Sequence, residues 1–213
     1  MIRYNPVDSD ASTIPVKYLP RTCFIMCQLR KPEPDDQAEI RKRLGTFLAA
    51  MRFSEIDANS SLTGRDFLAK IWNMTFQVPI GIAIITRRTT RRSLANIFYE
   101  LGLLQAYGKE TLVIKSQDVR VPSDFVRTEY LEFGDDFEEG LKKFFDCVFS
   151  LQEHFDLMAD QLRNDPLLAI DYLRRAFLIT GEESYRAKAR QLHEELRGVV
   201  RSANCVENLL VKF

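Results

Sequence analysis

The sequence predicts a doubly wound α/β domain with a five-stranded parallel sheet, followed by a C-terminal helical extension. Two observations carry this prediction. Over residues 22–137, short apolar runs alternate with segments of helical periodicity, as in a parallel sheet covered by helices on both faces. From residue 138 onward only helical patterns remain. Apolar residues make up 46% of the 213 residues and charged residues 28%, which is a globular composition.

The five predicted strands are short segments, among them an apolar run and a largely β-branched run of the kind found in buried strands of parallel sheets. They lie at residues 22–27, 53–57, 80–86, 111–115 and 128–133. Residues 1–21 contain three prolines and no periodicity, so they are predicted to form an arm. We therefore expect an N-terminal arm at 1–21, the α/β domain at 22–137 and the helical extension at 138–213.

Helical periodicity fills the intervals between the first four predicted strands. Apolar residues recur at helical spacing over residues 40–51. The next helix is expected to begin at Thr63. The helix after the third strand is expected to be capped by Ser93 and to stop at Gly108, since Ser is a preferred N-cap and Gly often follows a helix end.

The extension is predicted to contain three helices. Residues 137–162 have a continuous helical pattern, and residues 184–200 have another. Between them, Asp165 and Pro166 form a typical helix start, with an N-cap carboxylate followed by proline at the first helical position. We expect the extension either to pack against the sheet domain or to form a dimer contact.

Charge and cysteine content exclude several classes of protein. Lys and Arg total 30, as do Asp and Glu, and this balance argues against general nucleic-acid binding. The four cysteines form no CxxC pair and there are only two histidines, so we expect no metal site. No signal peptide and no long apolar run is evident, so we expect a cytoplasmic protein without membrane association.

The helix predicted after the third strand has one apolar face and one polar face. Its core face is expected to carry Leu94, Ile97, Phe98 and Leu101. Asn96 and Glu100 are four residues apart on another face, so their side chains are neighbours. Leu103 and Tyr107 follow on this second face, and we expect the tail or a second subunit to cover them.

Four arginines lie just before this helix, at the carboxyl edge of the predicted sheet where ligands of such folds bind. They are Arg87, Arg88, Arg91 and Arg92. Guanidinium groups beside a helix N-terminus suit a phosphate group, which favours a phosphorylated nucleotide over a free nucleoside. A solvated arginine loop and an electrostatic partner interface are the alternatives.

The segment from Asn96 to Lys109 reads "NIFYELGLLQAYGK" and resembles a family pattern, roughly "NxxYELG…A…GK". Helices of this kind occur in nucleoside 2-deoxyribosyltransferases and in related TIR-like nucleotide-binding domains, several of which act in bacterial antiphage defence. The resemblance covers about residues 22–133, including the "VPSDF" stretch before the last strand. It implies a flavodoxin-like strand order and a catalytic glutamate at Glu100.

A carboxylate at Glu100 suits N-glycosidic chemistry. Breaking the bond between a ribose and its base develops positive charge on the sugar, and a nearby carboxylate can stabilise that charge or attack C1′. The same carboxylate can instead orient the ribose hydroxyls. The ordinary alternative is a solvent-facing helical glutamate, which is the commonest fate of this residue type.

The sequence departs from the family at two strand ends. Relatives often carry an aspartate at the end of the third strand, in a pattern like "aDlT", whereas this chain has Ile84 and Ile85 in "AIIT". Many relatives follow the first strand with a "PF" turn, but this chain continues "CQLRKPEP". We expect Gln28 and Arg30 to line the pocket there. These departures weigh against catalysis more than against binding.

Three further polar residues are candidates for nucleotide contacts. Asp57 ends the second strand, where an acidic residue can bind ribose hydroxyls or can be an ordinary loop aspartate. Arg65 is either at the pocket or exposed. Asp66 lies three residues after Thr63, a spacing that favours helix capping over sugar contact. Trp72 lies at core spacing and is predicted to be a packing residue.

The resemblance implies cleavage or exchange of the N-glycosidic bond of a nucleotide, with NAD as the preferred substrate and no cofactor. It also implies a role in antiphage defence, with a second subunit or a defence-system protein as partner. Two alternatives remain open at this stage. One is a non-catalytic sensor of a nucleotide second messenger that signals through the helical tail. The other is an assembly subunit with a degenerate pocket.

Overall fold

The computed structural model describes residues 17–29, 34–58, 67–117, 119–120 and 129–196. The chain forms two compact units. One comprises the described residues of Leu19–Ser150, and the other comprises those of Met1–Tyr18 together with those of Leu151–Phe213. The first unit is the α/β unit and holds the candidate site described below.

The α/β unit is built on a five-stranded sheet that is parallel throughout. Its strands are β1 (Thr22–Met26), β2 (Ser54–Asp57), β3 (Ile80–Ile85), β4 (Glu110–Lys115) and β5 (Glu129–Glu132). Their order in the sheet is β2-β1-β3-β4-β5, and all four neighbouring pairs are parallel. The prediction of a doubly wound sheet in flavodoxin-like order is therefore confirmed. Strand bounds agree with the sequence prediction to within one residue.

Helices cover both faces of this sheet and continue into the extension. They are α1 (Asp35–Ala50), α2 (Phe67–Gln77), α3 (Arg91–Ala106), α4 (Phe137–Gln161), α5 (Pro166–Thr180) and α6 (Glu183–Leu196). The helix start predicted at Thr63 falls outside the described residues, as does the predicted arm up to residue 16. The three predicted tail helices correspond to α4, α5 and α6.

Alternating strand residues build the cores on the two faces of the sheet. Phe24, Met26, Ala83, Ile85 and Val113 form one cluster with α2 and α3, through side chains that include Ile71, Met74, Ile97, Leu101 and Leu104. Ile25, Ile82 and Ile84 are equally buried and point to the opposite face, because successive strand residues alternate. A strand buried on both faces must be apolar throughout, which is why these runs lack polar alternation.

The third helix begins earlier than predicted. Thr90, not Ser93, is the N-cap, and its hydroxyl oxygen accepts a hydrogen bond from the backbone N–H of Ser93 at 3.2 Å. Both residue types are favoured at this position, so type alone did not separate them. The loop geometry decided, because Thr90 is extended at φ −70° and ψ 155°. The predicted stop at Gly108 is confirmed by its φ of 63°.

Tyr107, at the end of the second face of α3, contacts two aromatic residues of the same unit. The ring of Tyr107 lies 4.3 Å from the ring of Phe76 and 6.0 Å from that of Trp72, measured between centroids. Both partners belong to α2, so α2 covers part of the Tyr107 ring. Further coverage of this ring by the tail or a second subunit stays a prediction. The prediction that Trp72 packs in the core is confirmed, since its side chain is buried.

The described part of the second unit is helical and has its own core, which includes Ala169, Ile170, Leu173, Phe177 and Tyr185. The predicted start of α5 is confirmed, because the Asp165 carboxylate accepts a hydrogen bond from Leu168 N–H at 3.3 Å and Pro166 is the first helical residue. Within the part of the chain that the structure describes, no helix has the length and apolar content needed to span a membrane.

Close approach of α3 to β3 depends on Gly81. A methyl group at this position would overlap Leu104 Cδ1 and would lie 3.2 Å from Met26 Cε. Leu104 is fully buried, so it has little room to yield. We predict that Gly81→Ala lowers the free energy of unfolding by about 1–3 kcal/mol, as overpacked cores typically do. Urea unfolding measured by circular dichroism would give this difference.

Gly102 provides the matched control for this substitution, since it lies on α3 itself and a methyl group there meets no atom within 4 Å. Gly102→Ala should raise the free energy of unfolding by about 0.5–1 kcal/mol, because alanine loses less backbone entropy on folding into a helix. If Gly81→Ala were neutral or stabilising, the close packing of α3 on β3 would not be a constraint on this fold.

Candidate functional site

The candidate site lies where the sheet order reverses. The chain passes from β1 outward to β2 and then returns to β3 on the other side of β1, so the loops after β1 and β3 diverge at their carboxyl ends. In open parallel sheets this divergence leaves the crevice in which ligands bind. Residues 27–29 follow β1, and residues 86–90 follow β3 and lead into α3.

Gln28 connects the elements around this crevice. Its backbone carbonyl accepts a hydrogen bond from Gln37 Nε2 of α1 at 3.0 Å. Its side-chain Oε1 accepts another from the backbone N–H of Thr90 at 2.8 Å. The residue is only 4% exposed. One buried glutamine therefore holds the end of β1 against the N-terminal turns of both α1 and α3.

A small cavity opens beside this connection, with a volume of about 150 Å³. The segment after β1 contributes two lining residues and α3 contributes five. They are Cys27 and Leu29, and Arg92, Ser93, Asn96, Ile97 and Glu100. Pockets that enclose a drug-sized ligand have volumes of roughly 300–1,000 Å³. The cavity therefore has room for only part of a nucleotide, about the size of one ring.

Glu100 is the buried acid of this cavity. The residue is 9% exposed, so the alternative of a solvent-facing helical glutamate is wrong. Among the described residues it has no ion-pair or hydrogen-bond partner that would stabilise its charge. Burial removes water from the carboxylate and raises the pKa of Glu100 from 4.5 to about 7. The protonated and ionised forms therefore coexist near neutral pH.

Asn96 lies one helical turn before Glu100, and both line the cavity as their spacing predicts. Asn96 is exposed whereas Glu100 is buried, so the amide lies nearer to solvent and the carboxyl group lies deeper. The core residues of the same helix also follow the prediction. Ile97 and Leu101 are buried, and Leu94 and Phe98 are partly buried against the same cluster.

The four arginines predicted to bind phosphate surround the N-terminus of α3. Arg87 and Arg88 lie in the loop after β3, and Arg91 and Arg92 are the first two residues of the helix. All four are exposed, and Arg92 alone among them lines the cavity. The structure thus brings one of the predicted arginines to the candidate site, and the other three are not among its lining residues.

Asp57 has a structural role in this arrangement. Its carboxylate forms an ion pair with Arg41 of α1, with Arg41 Nη1 and Asp57 Oδ2 3.1 Å apart. It does not line the cavity that contains Glu100. The candidate residues Arg30, Arg65 and Asp66 lie outside the described residues.

The two residues that end β3 lie in the core of the sheet. Ile84 is fully buried and Ile85 is 2% exposed, so both side chains belong to the core of the sheet. An ionised aspartate at either position would be costly to bury.

The sequence analysis did not assign Cys27 and Leu29 to the cavity. Gln28, between them, was predicted to line the pocket, but it is 4% exposed and is not among the lining residues. The position of Cys27 and Leu29 at the end of β1 was the signal that could have found them.

The fold and the site define a class: a parallel α/β unit with an acid-containing cavity at the switch point of its sheet. Comparison of the chain with protein-family models, with curated proteins and with solved structures found no match. Among the described residues, no group of three or more His, Cys, Asp or Glu side chains is placed to hold a metal ion. The functional argument therefore depends on the site itself.

Proposed function

We propose that this chain cleaves or transfers the N-glycosidic bond of a nucleotide, with NAD as the preferred substrate and Glu100 as the catalytic residue. The observation that carries the proposal is a glutamate that is 9% exposed and lines a cavity at the switch point of the sheet. A carboxyl group without a stabilising partner costs free energy to bury, and such groups cluster at functional sites.

The proposed reaction separates a base from C1′ of its ribose. The bonding electrons leave with the base, so positive charge develops on the sugar, and the Glu100 carboxylate stabilises that charge or bonds to C1′. Water then supplies its oxygen to C1′ in hydrolysis, or a second base supplies its nitrogen in transfer. With NAD, nicotinamide leaves as a neutral base, and the proton lost by the attacking water is released to solvent. A base that leaves as an anion takes up that proton instead.

Asn96 and the cavity volume support a nucleotide substrate. The Asn96 side chain offers two N–H donors and a carbonyl acceptor beside Glu100, which suits ribose hydroxyls. The cavity of about 150 Å³ admits one end of NAD and leaves the rest outside. No cofactor is required, because the carboxylate and the attacking group complete the reaction.

Purified protein incubated with NAD, ATP and several deoxynucleosides tests this proposal directly. We expect free nicotinamide from NAD in the presence of the protein, detected by liquid chromatography. Boiled protein provides the background. If high protein concentrations release no base from any of these compounds, the chain is not an N-glycosidic enzyme that acts alone.

A nucleotide sensor is the second candidate function. The observation that favours it is that Glu100 is the single carboxylate lining the cavity among the described residues, while Ile84 and Ile85 occupy the core at the end of β3. In this alternative the cavity binds a nucleotide second messenger without breaking it. Binding of a nucleotide with full recovery of the intact ligand would favour the sensor over the enzyme.

The proposal extends to the cellular setting. We propose that the protein acts in the cytoplasm in antiphage defence, as a homo-oligomer or with a defence-system partner. An assembly subunit with a degenerate pocket remains the third alternative, and it predicts a stable protein complex that binds no nucleotide. Co-purification of the full chain followed by ligand extraction would separate it from the other two.

A further inference from the structure

The cysteines of the described residues lie in three different environments. Cys147 of α4 is exposed, Cys23 of β1 is fully buried, and Cys27 is buried but lines the candidate cavity. Burial raises the pKa of Cys23 well above its usual value, because a thiolate there is not solvated. Cys27 is only 8% exposed, so the cavity is the route by which a reagent reaches it. The chain therefore has one thiol in the candidate site and two reference thiols outside it.

A second group in the cavity indicates that it binds small molecules. Glu100 is 9% exposed and has no ion-pair or hydrogen-bond partner among the described residues. A buried polar group without a protein partner is typical of a place where a polar ligand or water is bound. The cavity has a volume of about 150 Å³. A small molecule that fills it therefore contacts both Glu100 and Cys27.

A guanidinium group near Cys27 favours the reactive form of its sulfur. The thiolate is the nucleophile, and reactive cysteines lie near positive charge and within reach of solvent. Burial by itself lowers the pKa of Arg41, but the negative charge of a Cys27 thiolate raises it, and Glu55 and Asp57 add to this increase. Electrostatic attraction is mutual, so Arg41 stabilises the charge on Cys27 in turn. The ion pair between Arg41 and Asp57, at 3.1 Å, fixes the guanidinium group.

We propose that Cys27 is a thiol-modification site, at which small uncharged disulfide-type compounds form a mixed disulfide that blocks the cavity. The Cys27 thiolate attacks one sulfur of the compound, the S–S bond of the compound breaks, and its other sulfur leaves with the bonding electrons. The thiol proton goes to solvent, and an added dithiol reverses the reaction. The modification depends only on the cavity, whereas its effect on nucleotide turnover rests on the proposed function.

Methyl methanethiosulfonate, a small uncharged compound that adds a methylthio group, tests the modification. Adducts on the folded protein are located by peptide mass spectrometry. Fragment ions separate Cys23 from Cys27, because both lie in the tryptic peptide 22–30, and Cys205 lies outside the described residues and in another peptide. We expect modification of Cys27 and Cys147 and none of Cys23. The urea-unfolded chain, in which every thiol reacts, is the control for detection.

A bulky anionic reagent of the same chemistry distinguishes the cavity from the surface. Dithiobis(nitrobenzoate) has two rings, each with a carboxylate. We expect it to modify Cys147 and to leave Cys27 unmodified, because the cavity has room for about one ring and ionised Glu100 repels the reagent. Three outcomes would overturn the proposal: no reaction of Cys27 with the small reagent, equal reaction of Cys23 and Cys27, or equal reaction of Cys27 and Cys147 with the bulky one.

The release of nicotinamide from NAD tests whether the modification blocks the cavity. Each protein is compared before treatment with methyl methanethiosulfonate, after treatment and after addition of dithiothreitol. We expect treatment to abolish release by the wild type and by Cys147→Ser, and dithiothreitol to restore it. Cys27→Ser should keep its own untreated rate after treatment. Unchanged release by the modified wild type, or an equal loss in Cys27→Ser, would overturn the block.

Protection by ligand separates this inference from the proposed function. Excess NAD should slow the modification of Cys27 and leave that of Cys147 unchanged, because only Cys27 lines the cavity. This readout requires binding but no reaction. Modification of Cys27 with protection by NAD, in a protein that releases no base, would overturn the enzyme and support the modification site. Modification of Cys27 at the same rate with and without NAD, in a protein that releases nicotinamide, would overturn the site.

Discussion

Glu100→Gln should lower the turnover of NAD by about 10²–10³-fold while leaving the fold intact. Glutamine has nearly the same shape but no negative charge, so it cannot stabilise the positive charge that develops on the ribose and cannot attack C1′. The measurement is the release of nicotinamide over a range of NAD concentrations, which gives kcat and KM separately for the wild type and the variant.

Glu39→Gln is the control for this experiment, because Glu39 is an exposed glutamate on α1. It should leave both kinetic constants unchanged. The division between kcat and KM decides the role of Glu100. A higher KM with unchanged kcat would show that Glu100 only binds the ribose, since such a change removes an interaction made equally in the ground and transition states.

The pH dependence of the wild type distinguishes a carboxylate from a general acid at this position. Burial raises the pKa of Glu100 to about 7, and the proposed reaction needs the ionised form. We expect kcat/KM for NAD to rise through this pKa and to level off above it. A profile that falls above the same pKa would contradict the carboxylate role and would indicate that the neutral acid protonates the leaving base.

The same substitution should stabilise the protein at alkaline pH. The pKa of Glu100 is about 7 in the folded chain and its ordinary value is 4.5, so the folded state retains a proton that the unfolded state has lost. Stability therefore falls as pH rises from 4.5 towards 7, and the full cost is present above that window. The difference corresponds to about 3 kcal/mol, since each tenfold change in a dissociation constant is worth about 1.4 kcal/mol.

Urea unfolding of the wild type and Glu100→Gln at about pH 4 and about pH 8 measures this effect. At the lower pH the glutamate is protonated in both states, so the two proteins should have similar stability. At the higher pH the variant should be more stable by up to about 3 kcal/mol. Glu39→Gln should show no comparable pH-dependent gain. A variant that is less stable at the higher pH would mean that the ionised carboxylate has a stabilising partner.

The stability and activity experiments have opposite expected signs for one substitution. Glu100→Gln should increase stability at alkaline pH, because it removes a buried negative charge that water does not stabilise. The same substitution should impair the reaction, because the positive charge on the ribose then has no carboxylate to stabilise it. A buried carboxylate that lowers the free energy of unfolding at neutral pH and has no stabilising partner fits a catalytic role better than a structural one. A purely structural residue would show loss of stability on substitution.

Local patterns in the sequence were sufficient to predict the type and order of the strands and helices in the α/β unit. The central strands β1 and β3 are buried throughout and largely apolar, because a strand buried on both faces has little other composition available to it. The edge strands β2 and β5 are short and carry charged residues. The start of α5 at Asp165 and the end of α3 at Gly108 also follow from local chemistry. The spacing of Asn96 and Glu100 likewise placed both on the face that lines the cavity.

The tertiary structure decided which of the candidate polar residues lie together. Asp57 ends a strand as predicted, yet its carboxylate is held by Arg41, which is sixteen residues away in sequence. Tyr107 packs on α2, although its position on α3 favoured an external partner. Such partners are brought together by the crossing of helices over the sheet, and no local pattern encodes which residues meet.

The sequence by itself determined the order and type of the elements, the charge at the start of α3 and the identity of the one acid in its second face. Only the tertiary structure decided that Glu100 is buried, that Gln28 joins β1 to the N-cap of α3, and that Arg92 lines the cavity. The physical reason is that periodicity and capping depend on neighbours along the chain. Burial, and the pKa that follows from it, depends on atoms contributed by segments far apart in sequence.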